Sequence, residues 1–247
     1  MPKFANDGTM AKVNTSSNYG FSAVKLDQLG ATEYSLATIV VDKSSSLYGF
    51  DRDLESMLKA ATESCQKSPR AENMMVRVVA FNQNEEEVHG FKLLETIDPN
   101  DYAGTIQTSG TTLLFDTAYR AIEASRDYGK MLVDQDYMAN AIVYIITDGM
   151  DNESKFSPSQ IAKLVESVRK AEVLDSIAVV LVGMNGDSSV QTYLDEFKRV
   201  AQLDEYVEMG DVTPAKLAKL AGYISKSTSS TSQALGTGGP SQSLSLV

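Results

Sequence analysis

Cysteine and histidine are almost missing from this chain: among 247 residues there is one of each, Cys65 and His89. A single cysteine excludes an internal disulfide framework. One Cys and one His cannot supply a zinc site of any known spacing, and a reducing compartment is the expected setting. Long apolar runs are lacking too. No stretch approaches the roughly 18 residues that cross a bilayer, and the polar segment Met1 to Ser17 has no apolar core ahead of a small-residue cleavage site. The expectation is a cytoplasmic protein that neither enters nor crosses a membrane. Basic residues are outnumbered, with 22 Lys and Arg against 33 Asp and Glu and a net charge of -11. Nucleic-acid backbones are held by clustered cations, so a general nucleic-acid surface is not expected; metal ions or cationic partners suit this balance better.

The length is enough to bury a full core, and one domain with appendages is the expected arrangement. Residues 1–18 are rich in Asn, Ser, Thr and Gly without periodicity and are expected to be flexible. Residues 226–247 form a Ser/Thr/Gly-rich tail, read as disordered because it offers too little apolar area to order itself. Between them, residues 19–225 alternate apolar strand-like runs with segments of helical period, the pattern of an α/β domain with a mostly parallel sheet. Six strands are expected, at Tyr34 to Val41, Met75 to Phe81, Glu87 to Leu93, Ala141 to Thr147, Ile177 to Val182 and Glu205 to Met209. The third is antiparallel, because the five-residue link Asn82 to Glu86 is too short for a parallel crossover. On this reading the third strand is an edge. His89 then reads as a solvated residue, and Glu85, Glu86 and Glu87 as charges that keep the edge soluble.

Five side-chain oxygen donors stand at the ends of these elements. Asp42, Ser44 and Ser46 follow the first strand, Thr112 lies in the Gly110 turn before a helix, and Asp148 follows the fourth strand. Two carboxylates and three hydroxyls, without sulfur or imidazole, suit Mg2+ or Mn2+ rather than Zn2+. In a doubly wound sheet, ligands bind outside the carboxyl ends of the strands at the switch point. Adjacent first and fourth strands would bring Asp42 and Asp148 together there across more than 100 residues of chain.

The same segments carry a family resemblance. Asp42-Lys43-Ser44-Ser45-Ser46 matches the Asp-x-Ser-x-Ser signature of von Willebrand factor A (VWA) domains. Ser109-Gly110-Thr111-Thr112-Leu113-Leu114-Phe115-Asp116 is similar to that family's Ser-Gly-Gly-Thr-Pro-Leu-Tyr-Asp stretch, and Thr147-Asp148-Gly149-Met150-Asp151-Asn152 resembles its Thr-Asp-Gly-x-Asp-Asn turn. The three occur in family order, and the likeness runs from about Tyr34 to Ile224, toward bacterial and phage members. It implies the strand order 3-2-1-4-5-6 and a metal-ion-dependent adhesion site (MIDAS). In such a site Ser44, Ser46 and Thr112 contact Mg2+, or alternatively Mn2+ or Ca2+, Asp42 and Asp148 act directly or through water, and a partner's acidic side chain fills the open position. Three positions depart from the pattern. Ser45 stands where Gly is common, Lys43 places a cation beside the site, and Thr111 replaces the second Gly, so that either Thr111 or Thr112 could be the ligand. The register with Phe115 and Asp116 favours Thr112. Lys43, Tyr48, Thr111, Met150, Asn152 and Asn185 flank the site as candidate partner contacts.

Three functions are compatible with such a site. A metal-dependent protein-binding module uses the ion as a bridge. A scaffold keeps the fold without the metal. A phosphohydrolase needs a nucleophile and a base, but the haloacid-dehalogenase pattern wants a second Asp where Ser44 stands, and no Gly-x-x-x-x-Gly-Lys loop occurs. The expectation is the binding module, not an enzyme.

Overall fold

A computed structural model describes residues 8–171 and 173–237. In chain order the elements are β1 (Met10–Asn14), β2 (Gly20–Val24), β3 (Glu33–Asp42), α1 (Asp51–Gln66), β4 (Met74–Phe81), β5 (Glu85–Leu93), α2 (Leu114–Val133), β6 (Met138–Thr147), α3 (Pro158–Lys170), β7 (Ile177–Gly183), α4 (Ser188–Ala201), β8 (Glu205–Glu208) and α5 (Pro214–Thr237). They build one eight-stranded sheet in the order β1-β2-β5-β4-β3-β6-β7-β8. The expected count of six strands is corrected by two additions at one side, β1 and β2, where an antiparallel pair lies against β5.

Strand β3 shows why the centre of the sheet is parallel and covered on both faces. Its side chains alternate: Leu36 and Val40 join the core beneath α2, α3 and α4, while Ala37, Ile39 and Val41 join the core beneath α1 and α5. Both sets are apolar, so the run lacks the polar phase of a half-exposed strand. Pairing of β3 with β4 on one side and β6 on the other sets Asp42 opposite Phe81 and Val41 opposite Ile146. The carboxyl ends of β3 and β6 therefore finish side by side.

The first correction to the expected appendages concerns residues 1–18, of which 1–7 lie outside the described residues. Met10 to Asn14 is a strand. The pair β1–β2 is fixed by burial that sequence polarity conceals. Arg77, fully buried in β4, donates from Nη2 to the Tyr19 hydroxyl at 2.7 Å and pairs through Nε with Glu87 at 3.1 Å. Its guanidinium also stacks near the rings of Tyr19, Phe21 and Phe91. Gly90 is required for the approach of β2, since a Cβ there would meet the Ser22 carbonyl oxygen at 2.0 Å. Strand β5 is therefore not an edge, and its acids are counterions: Glu85 to Arg120 at 2.7 Å, Glu86 to Lys43 at 2.5 Å and Glu87 to Arg77. His89 is buried rather than solvated. Its Nδ1 bonds the Gly90 carbonyl and its Nε2 the Tyr102 hydroxyl, both at 2.9 Å. Burial pushes its pKa down to about 4.

A second correction falls on the tail. Helix α5 continues through Thr237, with Ser225, Ser227, Thr228, Thr231, Ser232 and Leu235 buried; residues 238–247 lie outside the described residues. The small hydroxylated side chains let α5 pack on α1 and the sheet, and their polar groups are matched there. The Tyr144 hydroxyl meets Ser227 Oγ at 2.6 Å and Thr228 Oγ1 at 3.0 Å, Asn140 Nδ2 donates to the Thr231 carbonyl at 2.8 Å, and Arg70 Nε donates to Ser232 Oγ at 3.1 Å. The expected domain limits of 19 and 225 thus each cut through ordered structure.

Candidate metal centre

Asp42 is the last residue of β3 and is fully buried. Its Oδ1 accepts from the Ser44 N–H at 2.7 Å and its Oδ2 from the Thr147 hydroxyl at 2.6 Å. Burial raises the carboxyl pKa to about 6 against these hydrogen bonds, with the nearby Asp148 charge adding to the rise. Past Asp42 the chain curls into a short 3-10 turn, Ser45–Leu47, which brings Ser44 Oγ to 3.1 Å from Ser46 Oγ. Ser46 Oγ in turn donates to Asp148 Oδ1 at 2.9 Å. Asp148 follows β6, and burial raises its pKa too. One hydrogen-bonded chain thus links two strand ends that are 106 residues apart at Asp42 and Asp148.

Thr112 reaches the same place from a third loop. It is buried, and its Oγ1 lies 3.9 Å from where a Gly149 Cβ would stand. Thr111 is exposed, and its N–H is bound by Gln83 Oε1 at 3.1 Å. Of the two threonines, Thr112 is the one beside Asp148. Its loop is clamped from several sides. The Ser45 N–H and hydroxyl bond the Gly110 carbonyl at 3.1 and 3.0 Å, the Ser109 N–H donates to the Lys43 carbonyl at 2.8 Å, and Asn82 Nδ2 donates to the Ser109 carbonyl at 2.8 Å. Gly110 is needed at φ +76°, where Gln83 Oε1 would lie 1.4 Å from a Cβ.

The flanking residues divide. Tyr48 is 82% exposed beside the site, Met150 is half-buried, and Thr111 is exposed. Lys43 is turned aside: it is buried, with its ammonium on Glu86 at 2.5 Å, which removes its charge from the surface where partner contact was expected. Asn152 and Asn185 act within the site, because Asn152 Oδ1 accepts from the Thr112 N–H at 3.2 Å and Asn185 Nδ2 donates to the Asp148 carbonyl at 2.7 Å. Asp116, inside the second motif, is a latch: its Oδ1 accepts the N–H groups of Lys155 and Phe156 at 2.7 and 2.8 Å. Sequence reasoning gave no role to Thr147, Asn82 or Gln83. Thr147 stood in a quoted motif, but only the strand pairing reveals that its hydroxyl faces Asp42.

The donor set fits a hard divalent cation. Among the described residues no three His, Cys, Asp or Glu gather, so the chemistry is carboxylate plus hydroxyl. Mg2+ is commonly held in that way, by one or two carboxylates with waters and an incoming ligand completing the octahedron. The two carboxylates are partly desolvated side by side, and a cation would relieve both penalties.

No protein-family model matches the chain, and no curated protein matches it. Solved structures share its fold. The PilB minor pilin of Streptococcus sanguinis aligns with TM-score 0.55 at 15% identity, over 89% of this chain and 66% of its own. Proximal thread matrix protein 1 from the mussel byssus, in a structure with zinc occupying its MIDAS motif, aligns with TM-score 0.52 at 16% identity, over 80% and 46%. The pilus adhesin SpaC from Lactobacillus rhamnosus GG aligns with TM-score 0.52 at 11% identity, over 92% and 35%. The chain thus spans between about a third and two thirds of these structures' lengths. At such identities the likeness is one of fold, and the fold is VWA-like.

Proposed function

We propose that the chain is a metal-dependent protein-interaction module. Asp42, Ser44, Ser46, Thr112 and Asp148 would hold Mg2+ or Mn2+ at the top edge of the sheet, and the ion would take a carboxylate from a partner protein. The observation that carries this reading is the meeting of three sequence-distant loops around two buried carboxylates, with hydroxyls as the remaining oxygen donors. A bound ion would supply a positive centre that a partner carboxylate completes. The chain's own part is to fix the oxygens: Thr147 and the Ser44 N–H orient Asp42, Asn185 and Ser46 orient Asp148, and Asn152 orients Thr112. The VWA-like pilin, adhesin and matrix proteins support an interaction role, and the zinc-occupied MIDAS of the byssus protein supports divalent-metal chemistry on this fold. The reading assigns no catalysis and a cytoplasmic setting. The described residues contain no helix long and apolar enough to cross a membrane.

Capture of host proteins on the immobilised chain with Mg2+, with EDTA and with the Asp42→Ala variant tests it. Partners retained in Mg2+ and lost in both other arms are expected. Partners retained in all three would favour a metal-independent scaffold.

A further inference from the structure

The loop that carries Thr112 is fastened at both ends by a residue that belongs to none of the three metal-site motifs. Asn82 opens the turn between β4 and β5 and is 5% exposed. Its Nδ2 donates to the Ser109 carbonyl at 2.8 Å and reaches Ser109 Oγ at 3.2 Å, while its own carbonyl accepts the Leu113 N–H at 2.9 Å. Ser109 begins the loop, and Leu113 ends it at the start of α2. Asn82 Oδ1 is used as well, accepting the Asn84 N–H at 3.0 Å within the turn. The side chain must therefore donate and accept at once over a short reach. Asn does both; Asp has no N–H to give, and Ala has neither group. The turn is also registered on the metal edge, because Phe81, the residue before Asn82, lies opposite Asp42 and accepts the Lys43 N–H at 2.7 Å. The end of β4 thus bears on the Asp42 strand and on the Thr112 loop together. Between the two ends, Gln83 Oε1 takes the Thr111 N–H at 3.1 Å from an exposed side chain. Asn152 holds Thr112 from the other side, accepting its N–H at 3.2 Å and donating to its carbonyl at 3.0 Å.

We infer that Asn82 is a positioning residue for the metal: by holding Ser109 and Leu113 it fixes where Thr112 stands beside Asp148, and so sets the affinity of the site for a divalent cation. Gln83 is a weaker second hold on the same loop. The inference rests on the metal reading of this edge.

Mn2+ binding, followed by the electron paramagnetic resonance of the free ion, tests this on the wild type, Asn82→Ala, Gln83→Ala, Thr112→Ala, the double variant Asn82→Ala/Thr112→Ala and Asp148→Ala. Asn84→Ala is the control, since Asn84 bonds within the turn through its backbone. Circular dichroism establishes that each variant is folded, and melts without metal record its stability separately. The Mn2+ Kd should rise about tenfold in Asn82→Ala, where buried hydrogen bonds are lost, and about threefold in Gln83→Ala, whose bond is open to water. Asn84→Ala should leave it unchanged. Because Asn82 acts through Thr112, adding Asn82→Ala to Thr112→Ala should weaken binding no further. A lowered melting temperature with an unchanged Kd, or losses that add in the double variant, would overturn the inference, since Asn82 would then serve the fold alone. Should Asn82→Ala fail to fold, an unchanged Kd in Gln83→Ala overturns it equally. A wild type that binds no Mn2+ would remove the metal reading and this inference with it. Binding that is lost in Asp148→Ala but indifferent to Asn82→Ala and Gln83→Ala would leave that reading standing and remove only this one.

Discussion

Thr147 and His89 show how much of this molecule depends on single buried polar contacts. The Thr147 hydroxyl is the donor to Asp42 Oδ2, in a place without water access. Thr147→Val keeps the shape of the side chain but leaves that oxygen without its partner, and should cost about 1–3 kcal/mol of stability. Thr147→Ser should retain most of it, and urea melts of the two variants measure the difference. His89 makes a pH prediction. Its folded pKa is depressed from 6.5 to about 4 by burial, so as pH falls below 6.5 the unfolded chain takes up a proton that the folded chain refuses. Stability from this residue is therefore complete above pH 6.5 and is lost toward pH 4, by up to about 3 kcal/mol. A His89→Gln variant should flatten that part of the stability profile. An unchanged profile would show that another group governs it.

Among the elements, α5 is the one whose extent composition misjudges. A run of Ser and Thr reads as solvated because its hydroxyls are polar. On a helix those hydroxyls can bond the preceding turn, as Ser227 Oγ does to the Tyr223 carbonyl at 2.7 Å, and then be buried at little cost. Leu235 is buried in this stretch, and Leu235→Ala should cost about 2–5 kcal/mol, where a disordered tail would show no change. Ending the chain at Ser225 should likewise lower the melting temperature sharply, because it strips the partners of Tyr144, Asn140 and Arg70. The central strands were legible for the opposite reason: β3, β4, β6 and β7 are β-branched and apolar on both faces, a pattern only two-sided burial explains. The hairpin β1–β2 was not, because its anchor is a buried Arg77 that belongs to a different strand. At the site, Asp42, Ser44, Ser46, Thr112 and Asp148 could be picked out as oxygen donors at element ends. The clamps Asn82 and Gln83 could not, since each bonds a loop distant in sequence, and Asn152 was picked out as a partner contact rather than as the acceptor of the Thr112 N–H.

At the scale of the whole molecule, two helical layers and an eight-stranded sheet hold three loops at one edge so that three hydroxyls stand beside two desolvated carboxylates. A bound cation would relieve the cost of keeping these two carboxylates desolvated at one edge. Mg2+ held by this few protein ligands should bind weakly, and binding to the folded state alone raises the melting temperature as concentration exceeds Kd. Titration calorimetry with MgCl2 and MnCl2, run on the wild type and on Asp148→Ala beside thermal melts, is the most direct measurement. Saturable 1:1 binding with a rising melting temperature in the wild type, and neither in Asp148→Ala, is the result expected from a divalent site at this edge. Heats and melting temperatures indifferent to both metals, or binding that survives Asp148→Ala unchanged, would contradict it.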